Sequence, residues 1–112
     1  ATTPSGRPAR QVVRFGDLEI AYDERVLSPR VWTTAQARWM AEVLHRLPEG
    51  PVLELCSGAG HIGLLTAAYT GRDHVLVDAS EAACELAAGN VEPPEKTDTR
   101  RRSACSAALS RL

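Results

Sequence analysis

Three glycines and two acids carry the chemistry this sequence offers. Gly58, Gly60 and Gly63 stand in Ser57-Gly58-Ala59-Gly60-His61-Ile62-Gly63, a G-x-G-x-x-G spacing, directly after the apolar run Val52 to Cys56. Glycines at a strand-to-helix turn let the backbone take positive φ and bring its N–H groups close to a ligand. The helix start that follows adds unpaired donors and a partial positive charge, which suit a carboxylate or phosphate. Asp78 closes the next apolar run, Val75 to Val77, where a carboxylate can accept two hydrogen bonds from the vicinal hydroxyls of a ribose. Charged hydrogen bonds of that kind are worth about 1.5–3 kcal/mol each. The second acid, Glu54, sits inside the strand four positions before Gly58. The expected ligand contains adenosine and lies across the carboxyl ends of two neighbouring strands.

The elements that must position these residues are readable from the pattern. Gln11 to Phe15 and Leu18 to Tyr22 flank Gly16-Asp17 and read as a β-hairpin. A helix is expected over Thr34 to Leu47, with Thr33 and Gln36 at capping-box spacing and Trp39, Met40, Val43, Leu44 and Leu47 on its buried face. Pro48 ends it. Two βα units follow: Val52 to Cys56 with a helix over His61 to Tyr69 closed by Gly71, and Val75 to Val77 with a helix over Glu81 to Ala88 stopped by Gly89-Asn90. Strand–helix–strand–helix with short connections implies parallel strands and right-handed crossovers.

The glycine spacing with an acid about 20 residues on is formally also the dinucleotide fingerprint. The flanks decide between the two ligand classes. Glu54 occupies a position that dinucleotide sites keep apolar, and a complete amphipathic helix precedes the first strand. Glu54-Leu55-Cys56-Ser57-Gly58-Ala59-Gly60 resembles motif I of class I S-adenosylmethionine-dependent methyltransferases. Val77-Asp78-Ala79-Ser80, with Ala83 and Asn90 beyond it, resembles that family's acidic ribose-binding loop and following helix. Val26-Leu27-Ser28-Pro29-Arg30 with Thr33-Thr34 resembles the lead-in segment of the protein N5-glutamine methyltransferases and their small-domain relatives. The resemblance covers roughly Phe15 to Val91.

The resemblance implies an α/β, Rossmann-like class I methyltransferase fold, truncated, with an N-terminal hairpin and amphipathic helix. It implies S-adenosylmethionine as cofactor: Glu54 holding the methionine amine, Gly58 and Gly60 lining the methionine, Cys56 in the same cofactor-binding loop, and Asp78 on the ribose. Cys56 stands where the family often has its first motif glycine, and Trp32 where an acid is typical. The acceptor-orienting Asn/Asp-Pro-Pro-aromatic motif is missing. Glu92-Pro93-Pro94-Glu95 lacks its polar and aromatic members and follows Asp78 too closely. No catalytic residue is therefore assigned. The alternatives are a non-catalytic module for an adenosine ligand and an NAD-dependent oxidoreductase fragment, the latter giving Glu54 no role.

The remaining residues set bounds. With 13 basic and 14 acidic residues in 112, a net charge of −1 does not favour nucleic acid or an anionic membrane as the main partner. The methyl acceptor is expected to be a protein or small molecule. No apolar run approaches the ~20 residues a membrane span needs. Cys56, Cys84 and Cys105 make an odd count without CxxC spacing, so neither a disulfide framework nor a metal site is expected, and a reduced cytoplasmic setting fits. His61 reads as a spectator lining the pocket, His45 and His74 as surface residues. Residues 1–10 read as a flexible terminus, 11–91 as the partial methyltransferase domain, and 92–112 as a disordered tail whose Arg100-Arg101-Arg102 run is a solvated face. The start at Ala1 and the change of composition after Val91 suggest a fragment or a frame-shifted product. Two strands of a larger sheet leave edges unpaired, so self-association is expected.

Overall fold

The computed structural model describes Gly6, residues 8–91 and the backbone of 103–106. Strands β1 (Gln11–Phe15) and β2 (Leu18–Tyr22) form the hairpin at the bounds the sequence predicts, with Phe15 opposite Leu18 and Gln11 opposite Tyr22. Alternation along β2 and at the end of β1 turns Phe15 and Ile20 inward, where both are fully buried. They pack with Ala37, Ala59, Leu64 and Leu65.

Helix α1 (Thr34–His45) follows a single 3₁₀ turn at Val31–Thr33. Its buried residues differ from the expected stripe. Ala37, Ala41 and Leu44 face inward while Trp39 is 62% exposed and Leu47 is also exposed. Alanines at i and i+4 (Ala37, Ala41), with Leu44 at i+7, let α1 lie close against α2 (His61–Thr70), so the contact is rotated toward the alanines and away from the largest side chain. The expected capping box does not form. Thr33 has helical backbone angles (φ −73°, ψ −2°), and its hydroxyl donates to the Arg30 carbonyl at 2.6 Å. The carbonyl end of α1 is held from a distance, because the Arg72 guanidinium donates to the carbonyls of Leu44, Leu47 and Pro48.

The second sheet is parallel, in the order β3 (Val52–Leu55), β4 (His74–Val77), β5 (Ser103–Ser106). Glu54 stands opposite Leu76, and both lie beneath α2. Helix α3 (Glu81–Val91) packs on the same side, with Ala87 near Leu76 at the glycine turn. Leu53 and Leu55, on the opposite side of β3, are 59% and 66% exposed.

The structure departs from three further expectations. His74 is not at the surface: it is 1% exposed at the start of the middle strand, its Nδ1 3.1 Å from the Arg72 carbonyl. Helix α3 runs through Gly89-Asn90 to Val91 rather than stopping there, because the Asn90 side chain is engaged in tertiary hydrogen bonds. Ser103–Ser106, read as part of a tail, pairs in parallel register with β4. A third strand beside a strand already formed depends on pairing more than on the weak β-propensity of Ser and Ala. The expectations for residues 1–5, 7, 92–102 and 107–112, including the diproline segment and the arginine run, lie outside the described residues. Among the described residues no helix is long and apolar enough to cross a membrane.

Candidate functional site

The turn joining β3 to α2 is built from an unusual backbone. Cys56 has φ +57°, Gly58 +58° and Gly60 +84°. For Gly58 and Gly60 the left-handed region carries no Cβ penalty, whereas for Cys56 it costs about 1–2 kcal/mol. Strain of this kind persists where the surroundings over-determine the backbone, and it clusters at ligand sites. Ser57 N–H donates to the Val77 carbonyl (3.1 Å) and Gly60 N–H to the Ser57 carbonyl (2.9 Å), fixing the turn against the end of β4. A Cβ built on Gly58 meets nothing within 4 Å, so the turn is open to approach there.

Asp78 follows β4 directly and lies beside the turn. Its Oδ2 accepts the Gly58 N–H at 2.9 Å and its Oδ1 accepts the Ser80 N–H at 2.9 Å. A carboxylate has about four lone-pair sites, so two acceptor sites remain after these bonds. Ser80 Oγ in turn accepts the Ala83 N–H (3.3 Å), capping α3 as its position predicts.

Glu54 lies under the first turn of α2, hydrogen-bonded by the Gly63 backbone N–H. Burial outweighs that bond and pushes its pKa up from 4.5 to about 7. Gly63 is needed for this packing: a Cβ there would run into the Glu54 carboxylate and the Leu76 side chain. The third motif glycine thus brings helix and sheet together, with the acid in the space a larger residue would fill.

Cys56, Gly58, Gly60 and Asp78 meet at one turn at the carboxyl ends of β3 and β4, while the Glu54 carboxylate lies beneath the first turn of α2, against Gly63 and Leu76. Cys56 is exposed, Gly60 buried and Gly58 half-buried. His61 is beside them, its ring edge-on to Phe15 with centroids 5.0 Å apart and its pKa lowered by burial. Among the described residues His61 Nδ1 and Ser57 Oγ are buried without a hydrogen-bond partner.

Sequence reasoning placed Asn90 on the family-like helix and as its stop, and missed its tertiary role. Its Oδ1 accepts the Ala21 N–H (2.8 Å), and its Nδ2 donates to the carbonyls of Ala21 and Ala59 (2.9 Å each). A lone Asn after Gly near a helix end carries the same local signal as a stop. Only the 69-residue separation from Ala21, closed by the fold, reveals its task.

No protein-family model and no curated protein matches the sequence. Among solved structures, the chain is similar to the Pyrococcus abyssi tRNA (uracil-54, C5)-methyltransferase in complex with S-adenosyl-L-homocysteine. The identity is 22% and the TM-score 0.59, over 89% of this chain and 24% of that one. The chain thus spans about a quarter of the length of that protein. The fold is α/β and similar to a Rossmann-like methyltransferase fold.

Proposed function

We propose that this chain binds S-adenosylmethionine and is the donor-binding portion of a methyltransferase. The observation that carries the reading is the bond from Gly58 N–H to Asp78 Oδ2, which ties the carboxylate suited to a ribose diol to the open glycine turn. The free acceptor sites of Asp78 take the ribose hydroxyls, while Cys56, Gly58 and Gly60 line the methionine. Glu54 supplies negative charge for the methionine ammonium, and a cation there lowers the cost of ionising a carboxyl that burial holds near neutral. The same buried acid separates this ligand from a dinucleotide, which has no amino-acid ammonium to place beside it. When bound, S-adenosylmethionine supplies an electrophilic sulfonium methyl for in-line displacement, chemistry in which positioning does most of the work.

The solved methyltransferase with S-adenosyl-L-homocysteine supports this reading at the level of fold. The finer subgroup we propose is the protein N5-glutamine methyltransferases and their small-domain relatives, on the strength of Val26-Leu27-Ser28-Pro29-Arg30 and Thr33-Thr34. The acceptor is a protein or small molecule, given the near-balance of charge. Free Cys56 and Cys84 suit a reducing cytoplasm.

Isothermal calorimetry with S-adenosylmethionine and S-adenosylhomocysteine, with NADH as control, tests the proposal. Binding of the methyl-donor pair that weakens in Asp78→Asn supports it. Preference for NADH, or no binding by a cooperatively folded chain, refutes it.

A further inference from the structure

Among the described residues, Asn90 hydrogen-bonds both the glycine turn and the N-terminal hairpin. All three of its hydrogen bonds go to backbone: Ala21 N–H and carbonyl on β2, and the Ala59 carbonyl between Gly58 and Gly60. In pairing with both groups of Ala21, the side-chain amide imitates the next strand of a ladder. Its second N–H then reaches across to the turn. A half-buried amide that uses both N–H groups and an oxygen lone pair this way is nearly saturated. The turn is thereby pinned from two sides, Gly58 N–H by Asp78 from the β4 side and Ala59 C=O by Asn90 from α3. The pinning matters because the turn contains a strained left-handed Cys56 and an open Gly58, a backbone that holds its shape only through its surroundings.

We propose that Asn90 is a positioning residue for the donor site: by fixing Ala59 it sets the path of the Gly58–Gly60 turn, and with it the affinity for the methionine end of the donor. This rests on the donor-binding reading above. Asn90 touches no ligand in this account; it acts through the turn. Its effect is therefore largest on the part of the ligand the turn meets and smaller on the ribose, because Asp78, though bonded to Gly58, is also held by the Ser80 N–H.

The test compares Asn90→Ala and Asn90→Asp with Arg72→Ala, which removes the carbonyl anchor of α1 and destabilises the fold away from the turn. Calorimetric affinities are measured for S-adenosylhomocysteine and for 5′-methylthioadenosine, which keeps the adenosine and lacks the amino-acid end. Amide hydrogen exchange is followed in the ligand-free chain. The expected result is faster exchange at Gly58 and Gly60 in both Asn90 variants. S-adenosylhomocysteine binding then weakens by about tenfold, as losing a hydrogen bond of ordinary strength implies, with methylthioadenosine nearly unchanged. Arg72→Ala lowers the melting temperature without that ligand selectivity. Equal losses for both ligands, unchanged binding of both in Asn90→Ala, or the same selectivity in Arg72→Ala overturns the proposal. A wild-type chain that binds neither ligand overturns the donor reading and this one with it; unchanged affinities in the Asn90 variants alone overturn only this one.

Discussion

Replacing Glu54 by Gln separates what the buried acid costs the fold from what it gives the site. Burial beneath α2 raises the Glu54 pKa from 4.5 to about 7, so the folded chain binds a proton at Glu54 more readily than the unfolded chain does. A carboxyl with a raised folded pKa contributes its full stability below pH ~4.5, and that contribution is lost as pH rises through about 7. At 1.36 kcal/mol per pH unit the gap amounts to about 3 kcal/mol. Gln keeps an oxygen for the Gly63 N–H and does not ionise, so Glu54→Gln matches wild type near pH 4.5 and exceeds it by up to about 3 kcal/mol at pH 8. Urea denaturation from pH 4.5 to 8.5, read as midpoints at constant m-value, measures this. His61 and His74 titrate in the same window with the opposite sign, since burial lowers both and their contribution is lost as pH falls. They are common to both proteins, so the difference between the two profiles isolates Glu54. The donor site adds a second arm, in which the variant binds S-adenosylhomocysteine more weakly at pH 8 while being more stable. Parallel stability profiles, or a variant less stable at pH 8, would refute the reasoning.

Cys56→Gly removes a left-handed non-glycine residue and raises stability by about 0.5–1 kcal/mol, after allowing for the extra entropy of glycine in the unfolded chain; a lower urea midpoint contradicts this. Gly63→Ala drives a methyl into the Glu54 carboxylate and Leu76 and costs about 1–3 kcal/mol, seen as a lower melting temperature. The exposed Leu53 and Leu55 on edge strand β3 lead to self-association of this chain, which Leu53→Lys with Leu55→Lys abolishes in sedimentation velocity. A monomeric wild type at high concentration would contradict that expectation.

The hairpin and the glycine turn were legible because their signals are local. Gly16-Asp17 between two β-rich runs fixes the hairpin, and the glycines after Val52 to Cys56 fix the turn, since each needs only its neighbours in sequence to be read. What was missed depends on contacts between distant segments. The Trp39 stripe on α1 lost to Ala37 and Ala41 because close packing against α2 rewards small residues, which a pattern of large apolar residues ignores. Gly89-Asn90 failed as a helix stop because Ala21 and Ala59, far apart in sequence, engage the Asn90 amide. His74 looked like a surface residue beside Asp73, yet it sits where β4 is flanked by β3 and β5. Its partner Ser103 on β5 belongs to a polar, alanine-rich segment that does not announce a strand.

The central claim is that an adenosine-containing methyl donor meets the Gly58–Gly60 turn and Asp78. Titrating ¹⁵N-labelled chain with S-adenosylhomocysteine tests it most directly. Saturable shifts are expected at the amides of Ser57, Gly58, Gly60 and Ser80, which line the turn or bond to Asp78. No saturable shift from a folded chain, or shifts confined to residues away from this turn, would contradict it.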